Sequence, residues 1–210
     1  MIKFSSNEIR DLFISFFIIS LGFSIVFSRQ DFSVIPQLLP MVMVGVGLGF
    51  ILHELAHKFV AIHYNYWAEY KTWGPGLVIA LASSFFGFIF AAPGAVHISG
   101  SYMSDRENGI ISVSGPLTNI ALSLIFLAIA FTLIGNFPSL PMYAPSVEIA
   151  VLFQTSILGF SINAFLALFN LIPFSIFDGA KVFRWNPLIW IVVTGVAGLM
   201  VFASFTGLLF

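Results

Sequence analysis

The chain has 210 residues, of which 59% are hydrophobic and only 8% are charged, and its formal net charge is −1. Soluble domains carry charge on about a quarter of their residues, so this composition excludes a soluble protein and indicates an integral membrane protein. A chain without a basic surplus has no electrostatic basis for binding nucleic acid. Because cysteine is absent, a bound metal ion would need nitrogen and oxygen ligands.

Five apolar runs are predicted to span the membrane. The first is expected to stay as an uncleaved span, because no small-residue cleavage site follows it. With five spans little of the chain is left over, so residues 1–210 are predicted to form a single membrane-embedded core without a separate soluble domain. The predicted spans are residues 12–27, the run from Pro36 to about residues 63–66, and residues 115–134, 149–172 and 186–210.

The second span contains the sequence GLGFILHELAHKFVAI, which places His53, Glu54 and His57 inside an apolar helix. Side chains four residues apart share a helix face, so both imidazoles can bind one metal ion. HExxH on a helix is the signature of zinc peptidases, in which the glutamate takes a proton from the attacking water. Ionisable groups in a membrane helix indicate function, and the alternative is a polar cluster that packs helices. About ten residues separate His53 from the end of the span, so the metal is expected about 15 Å deep, in a water-filled cavity.

The region after this helix allows two topologies. The sequence WAEYKTW (67–73) is typical of the membrane interface, and residues 77–92 form an apolar stretch that is short for a span. Residues 95–102 alternate between apolar and polar side chains, as a short strand would. The sequence MSDRENG is predicted to be a polar turn. If residues 77–92 cross the membrane, the eight basic residues divide equally between its two sides. If residues 77–92 re-enter instead, all basic residues except Arg29 lie on one side, and the positive-inside rule makes that side cytoplasmic. The seven are Lys3, Arg10, Lys58, Lys71, Arg106, Lys181 and Arg184.

The fold class predicted from these elements is an all-α polytopic membrane protein. It has five to six transmembrane helices, a re-entrant segment, and a short β-strand region after the HExxH helix. The re-entrant topology with five full spans is favoured, and a sixth crossing is the alternative.

A catalytic zinc site usually has three protein ligands, and four residues are candidates for the third. His63 has the spacing of HExxHxxGxxH, but Val60 stands where that pattern needs glycine. Glu69 lies at the polar boundary, and His97 lies in the strand-like stretch. Asp178 is favoured, because it follows the proline that breaks the fourth span and shares the cytoplasmic side with the HELAH helix. The alternative for Asp178 is an ordinary Asp-Gly turn.

Three motifs together resemble the site-2 protease family of intramembrane zinc metalloproteases: HELAH in a membrane helix, SGPLTN at the start of a later span, and NLIPFSIFDG at the end of the next. The resemblance covers about residues 38–182. Members often carry a second proline shortly before Asp-Gly, where this chain has SIF at 175–177, so the shape of that loop is left open. No PDZ or CBS domain is recognised, so a regulatory module would be a separate protein. The residues that the resemblance implies for the site are His53, His57 and Asp178 as ligands of one Zn²⁺, Glu54 as catalytic base, and Asn170 at the leading asparagine of NxxPxxxxDG.

Three asparagines also have a physical interpretation. The amide of Asn170 could donate to the oxyanion that forms during amide hydrolysis, or it could cap the end of its helix. Asn119 and Asn163 are expected to form hydrogen bonds between helices, as buried membrane asparagines do.

The predicted function is therefore intramembrane zinc metalloproteolysis, in which peptide bonds in or near transmembrane segments of other membrane proteins are hydrolysed. The partners are a transmembrane substrate and the lipid bilayer, and the site is expected to open to the cytoplasmic side of the cell membrane. The strand at 95–102 is predicted to pair with the unwound substrate. The alternatives are a zinc transporter, which would be expected to show repeats and a polar path across the membrane, and an inactive membrane scaffold.

Overall fold

The structure, a computed structural model, describes residues 3–90, 92–100, 102–140, 142–174 and 176–206. These residues form a helical protein with one small antiparallel sheet, made of β1 (Trp67–Thr72) and β2 (Gly94–Ser99). The predicted fold class is confirmed. The helices are α1 (Ser6–Phe27), α2 (Ile35–Val46), α3 (Leu52–His63), α4 (Gly74–Ser84), α5 (Asp105–Asn136), α6 (Val147–Asn170), α7 (Asp178–Trp185) and α8 (Pro187–Thr206).

Within the described ranges, five helical segments are long and apolar enough to cross a membrane, which matches the number predicted from the sequence and makes this an integral membrane protein. One of them is continuous over Phe32–His63, because a π-helical turn at Gly47–Ile51 joins α2 to α3. Helix α6 lies at the centre of the bundle, since its side chains contribute to both of the large apolar clusters. Helix α8 packs on α6 and α7 at the edge.

The segment between the two strands re-enters the bundle. Thr72 pairs with Gly94 in the register of the sheet, so the chain leaves and returns at the same end of the sheet. Helix α4 has only 11 residues, about 16 Å of helix against a hydrocarbon core of about 30 Å. The ring of Phe85 nevertheless lies 6.1 Å from that of Phe32, so the segment reaches the far end of the bundle before it returns. The re-entrant prediction is confirmed, and the sixth crossing is not formed.

The stretch predicted to be interfacial contains strand β1 over residues 67–72, and its location at the membrane interface stays a prediction. One local prediction differs from the structure. The stretch predicted to be a polar turn instead begins α5, because Ser104 and Glu107 form a capping box: Glu107 N donates to Ser104 Oγ at 3.2 Å, and Ser104 N donates to the Glu107 carboxylate at 2.9 Å. Serine followed three residues later by glutamate is a known helix-start signal, so the sequence did contain the cue.

A buried ion pair joins α1, α3 and the sheet. Lys58 Nζ donates to Glu8 Oε2 at 2.5 Å and to the Lys3 carbonyl at 2.9 Å. Tyr70 N donates to the other carboxylate oxygen of Glu8 at 3.1 Å. Buried charges are costly unless they are paired and hydrogen-bonded, and here both carboxylate oxygens are satisfied. The network therefore holds the HELAH helix against α1 and β1.

Candidate metal centre

The HELAH helix enters the bundle through the π-helical turn. Such turns are rare and often lie at functional sites. Immediately after it, His53, Glu54 and His57 are all buried, with 4%, 8% and 7% of their surface exposed. The two imidazole rings lie on one helix face with their centroids 4.6 Å apart. The helix therefore presents both histidines to the same point.

Asp178 meets the two histidines from another part of the chain, as the first residue of α7 after the break that ends α6. Its Oδ2 atom lies 3.1 Å from His57 Nε2 and 3.4 Å from His53 Nε2. The two Nε2 atoms are 3.0 Å apart. Tetrahedral zinc with bonds of about 2.0–2.1 Å places its ligand atoms roughly 3.3 Å from one another. The three atoms thus have the spacing of a zinc ligand set.

The other candidates for a third ligand lie elsewhere. His63 and His97 are exposed, and the Glu69 carboxylate accepts a hydrogen bond from the Ser5 hydroxyl. Among the described residues, the structure brings only His53, His57 and Asp178 together as a possible metal-binding group.

Hydrogen bonds to the outer imidazole nitrogens determine what the inner nitrogens can do. His57 Nδ1 lies 2.8 Å from the Ile111 carbonyl, which can only accept, so Nδ1 carries the proton. Asn119 Oδ1 lies 2.6 Å from His53 Nδ1 and is likewise the acceptor. In neutral imidazole the other nitrogen is then a lone-pair acceptor. Two Nε2 lone pairs and a carboxylate oxygen of Asp178 therefore face one another, an arrangement that a cation between them would stabilise.

The orientation of the Asn119 amide follows from its own contacts. Asn119 Nδ2 donates to the Gly49 carbonyl and to Asn163 Oδ1, both at 3.0 Å. Asn163 Nδ2 donates in turn to the Gly45 carbonyl at 3.3 Å. The predicted bonds between helices are confirmed, and Asn119 has the additional role of orienting His53, which sequence reasoning missed. Partners of this kind fix the tautomer of a metal-binding histidine.

Glu54 is the buried acid beside this group. Its Oε2 atom has no hydrogen-bond partner among the described residues. Two small cavities, of about 60 and 80 Å³, are both lined by His53, Glu54 and Asn170. A cavity of this size with several polar groups can hold water. The donor set, the unpartnered carboxylate oxygen and the adjoining space together fit a metal ion with its attacking water.

Asn170 lies at the end of α6 beside both cavities. Its Nδ2 donates to the Leu166 carbonyl at 3.0 Å. This hydrogen bond is a contact within the end of α6, whereas the position of the residue is beside the cavities of the site. The role of Asn170 in the chemistry therefore stays a prediction.

Lys181 is a second neighbour that sequence reasoning did not assign to the site. Its Nζ lies 3.4 Å from Asp178 Oδ1, the carboxylate oxygen that does not face the imidazoles. The spacing of three residues in α7 was the available signal, since such pairs share a helix face. This contact leaves Oδ2 as the atom of Asp178 directed at the histidines.

Strand β2 borders the site with its unpaired edge. Tyr70 N and Thr72 N donate away from the sheet, to carboxylates on α1. Their register partners Val96 and Gly94 must therefore direct their backbone groups to the opposite edge, because pairing alternates along an antiparallel ladder. Gly94, Val96 and Ile98 line the larger of the two cavities. The free edge of β2 thus faces Glu54.

Tyr70 approaches Glu54 from the other strand. Burial raises the pKa of its hydroxyl, and the charge of the nearby Glu54 carboxylate acts in the same direction. The hydroxyl donates to Ser15 Oγ at 2.9 Å. Tyr70 therefore remains a neutral phenol that anchors the sheet to α1.

The fold and the site define a membrane metalloprotease, and comparison with known proteins agrees. The chain is 40% identical over 192 residues to "Putative zinc metalloprotease MJ0611" of Methanocaldococcus jannaschii, which covers 91% of each chain. It is 28% identical over 163 residues to "Putative zinc metalloprotease YwhC" of Bacillus subtilis, which covers 70% of this chain and 68% of that relative. No family model and no solved structure matches. The chain belongs to the zinc metalloprotease family of these relatives.

Proposed function

We propose that this protein is an intramembrane zinc metalloprotease of the site-2 protease type, which hydrolyses peptide bonds in or near the transmembrane segments of other membrane proteins. The observation that carries the proposal is the convergence of three acceptor atoms, from His53, His57 and Asp178, beside Glu54 within a bundle of membrane-spanning helices. The Oε2 atom of Glu54 has no hydrogen-bond partner in the described part of the chain. We assign these three residues as the ligands of one Zn²⁺ per chain.

The residues around the ion have separate roles in this proposal. Bound zinc would supply a Lewis acid that polarises the scissile carbonyl and makes water a better nucleophile. Glu54 accepts the proton of the attacking water and passes it to the leaving amine, as a general base and then a general acid. Asn170 donates to the developing oxyanion. Asn119 and the Ile111 carbonyl hold the two imidazoles in the required tautomer.

The metal assignment predicts a strong effect at Gly115 on α5. A Cβ atom there would lie 2.5 Å from His57 Nε2 and 2.6 Å from His53 Nε2, so it would collide with both nitrogens that are proposed to bind the metal. Gly115→Ala is expected to weaken zinc binding at least tenfold, although alanine favours a helix by about 1 kcal/mol over glycine. Titration of the metal-depleted protein with zinc measures this.

Gly135→Ala is the matched control, because Gly135 lies on the same helix and a Cβ atom added there would have nothing within 4 Å. It is expected to bind zinc like the wild type. Full zinc affinity in Gly115→Ala would contradict the assignment.

The free edge of β2 is proposed to hold the substrate. A membrane helix satisfies its amides internally, so a substrate must unwind before attack, and an extended segment can add to an exposed strand edge. Val96→Pro and Ile98→Pro remove a donor from the outer edge and leave the ladder with β1 intact, a substitution that edge strands tolerate. Val96→Pro also removes the backbone N–H that is directed at the Glu54 carboxylate, so Ile98→Pro is the more specific test of strand pairing. We expect cleavage to slow by about tenfold or more with unchanged zinc content. Val96→Ala and Ile98→Ala are the controls, and equal rates for proline and alanine variants would contradict strand pairing.

The substrate class is tested by cleavage-site mapping. Purified protein in lipid vesicles is mixed with a reporter that has one transmembrane segment, and with the same target sequence placed in a soluble domain. We expect mass spectrometry to locate the cut within or beside the transmembrane segment, with loss of activity on chelation and recovery with zinc. Cleavage of the soluble reporter alone would reject the intramembrane assignment, and zinc uptake without cleavage would favour the transporter.

We also propose that the catalytic end faces the cytoplasm of the cell. The charge pattern supports this, since seven of the basic residues are predicted on that side and only Arg29 on the other. Protease protection of a tag at residue 3 in sealed right-side-out vesicles measures the orientation.

A further inference from the structure

A large apolar groove lies at the end of the bundle opposite the candidate metal centre. Its volume is about 780 Å³, against about 60 and 80 Å³ for the two cavities at Glu54. A cavity of about 150 Å³ already holds a benzene-sized molecule, so this one accommodates a long hydrocarbon chain. Its walls come from α1, α6, α8 and residues 84–89, and they include Phe23, Phe27, Phe88, Phe165, Val201 and Phe205.

The mouth of the groove is polar and positively charged. Arg29 and Gln30, which follow the end of α1, both line it, and both are exposed. Their backbones have φ angles of 50° and 72°, a left-handed conformation that is uncommon outside glycine. Asp31 N donates to the Ser28 carbonyl at 2.9 Å, so Arg29 and Gln30 form a hydrogen-bonded turn at the groove mouth.

Arg29 forms no ion pair with any carboxylate in the described part of the chain. The nearest acid in sequence, Asp31, uses its Oδ1 atom to accept hydrogen bonds from Ser33 N at 3.1 Å and from Ser33 Oγ at 2.6 Å. A guanidinium without an acidic partner beside an apolar groove is complementary to a ligand with an anionic head and a hydrocarbon tail.

We propose that this groove binds one anionic phospholipid, with its headgroup at Arg29 and an acyl chain between α1, α6 and α8. The outer face of α8 is open to the bilayer, since Leu199 and Phe205 are 71% and 83% exposed, so a lipid enters the groove from the membrane without crossing water. Arg29 lies on the side of the membrane that is proposed to face away from the cytoplasm, and a guanidinium there can bind the phosphate of an anionic headgroup through charge-assisted hydrogen bonds. The proposal concerns a site outside the catalytic region and does not depend on the proposed function.

Aromatic rings separate the groove from the catalytic cavities. Phe23 and Phe165 meet edge to face with their centroids 6.0 Å apart. Phe165 stacks on Phe169 at 5.7 Å, and Phe169 meets Phe177 at 4.9 Å. Phe177 lines the smaller catalytic cavity. The lining of the groove includes none of the three proposed zinc ligands, so substitutions at the groove mouth make no direct change at the metal centre.

Lipid retention by the purified full-length protein tests the site. The delipidated protein in detergent is titrated with phosphatidylglycerol or with phosphatidylcholine of the same acyl chains, and native mass spectrometry counts the bound lipids. We expect one site that prefers phosphatidylglycerol about fivefold. Arg29→Gln is expected to remove this preference. Arg10→Gln is the matched control, because Arg10 is 64% exposed, pairs with Asp11 at 2.8 Å, and lies at the opposite end of α1.

Two further measurements locate the lipid. Leu158→Trp, and separately Val26→Trp, place a bulky ring in the groove and are expected to lower the retention of both lipids. Photoactivatable phosphatidylglycerol is expected to label residues 84–89 or 157–165 of the wild type. Equal retention of the two lipids, an unchanged preference in Arg29→Gln, or labelling confined to other segments would overturn the proposal, as would displacement of the lipid by a transmembrane peptide that labels the groove instead.

Discussion

Glu54→Gln is expected to lower the rate of peptide-bond hydrolysis by about 10²–10⁴-fold while zinc binding stays at the wild-type level. The substitution keeps the shape of the side chain and removes its ability to accept a proton. Glu54 is well placed for that role, because one of its carboxylate oxygens is buried beside the cavities and has no hydrogen-bond partner among the residues that the structure describes. The measurements are cleavage of a transmembrane reporter in vesicles and zinc content by atomic spectroscopy.

Glu148→Gln provides the control for the loss of one carboxylate. Glu148 is exposed in the first turn of α6, at the other end of the bundle, and its substitution is expected to leave activity unchanged. Cleavage at the wild-type rate in Glu54→Gln would contradict the assignment of Glu54 as the general base. The same variant separates the alternatives, since zinc transport or scaffolding would continue without Glu54 acting as a base.

Asp178→Ala has the second large expected effect, the loss of bound zinc. The variant removes one of three acceptor atoms that lie within 3.4 Å of one another, and two imidazoles alone do not complete a catalytic zinc site. We expect the zinc affinity to fall by more than about a hundredfold. Even the loss of a residue that only hydrogen-bonds to a metal ligand lowers metal affinity by about 10–100-fold. Metal content after purification and zinc titration of the depleted protein measure the effect.

The control for this variant is Asp105→Ala, an exposed acid in the first turn of α5, which should retain zinc. Stoichiometric zinc in Asp178→Ala would contradict the assignment and would direct attention to His63 or His97. Folding is monitored independently by the helical circular dichroism signal, so that loss of metal is distinguished from loss of structure.

The membrane spans could be predicted from hydropathy because the bilayer sets their length, and the re-entrant segment could be predicted because charge asymmetry across a membrane is strong. The start of α5 was missed because a polar sequence was interpreted as a turn, although Ser104 and Glu107 carried the capping signal. Strand β1 was missed because its aromatic residues also suit a membrane interface. In both cases two physical explanations compete for the same residues.

The sequence by itself determined the class of protein, its five spans and the pair of histidines, since hydropathy, helical periodicity and HExxH are local properties. It also favoured Asp178 as a third ligand without placing it in space. Only the tertiary structure decided that Asp178 Oδ2 meets both Nε2 atoms, that Asn119 orients His53, and that the unpaired edge of β2 faces Glu54. These features join residues that are distant in the chain, and their positions depend on how the helices pack and on which strand edge α1 already occupies.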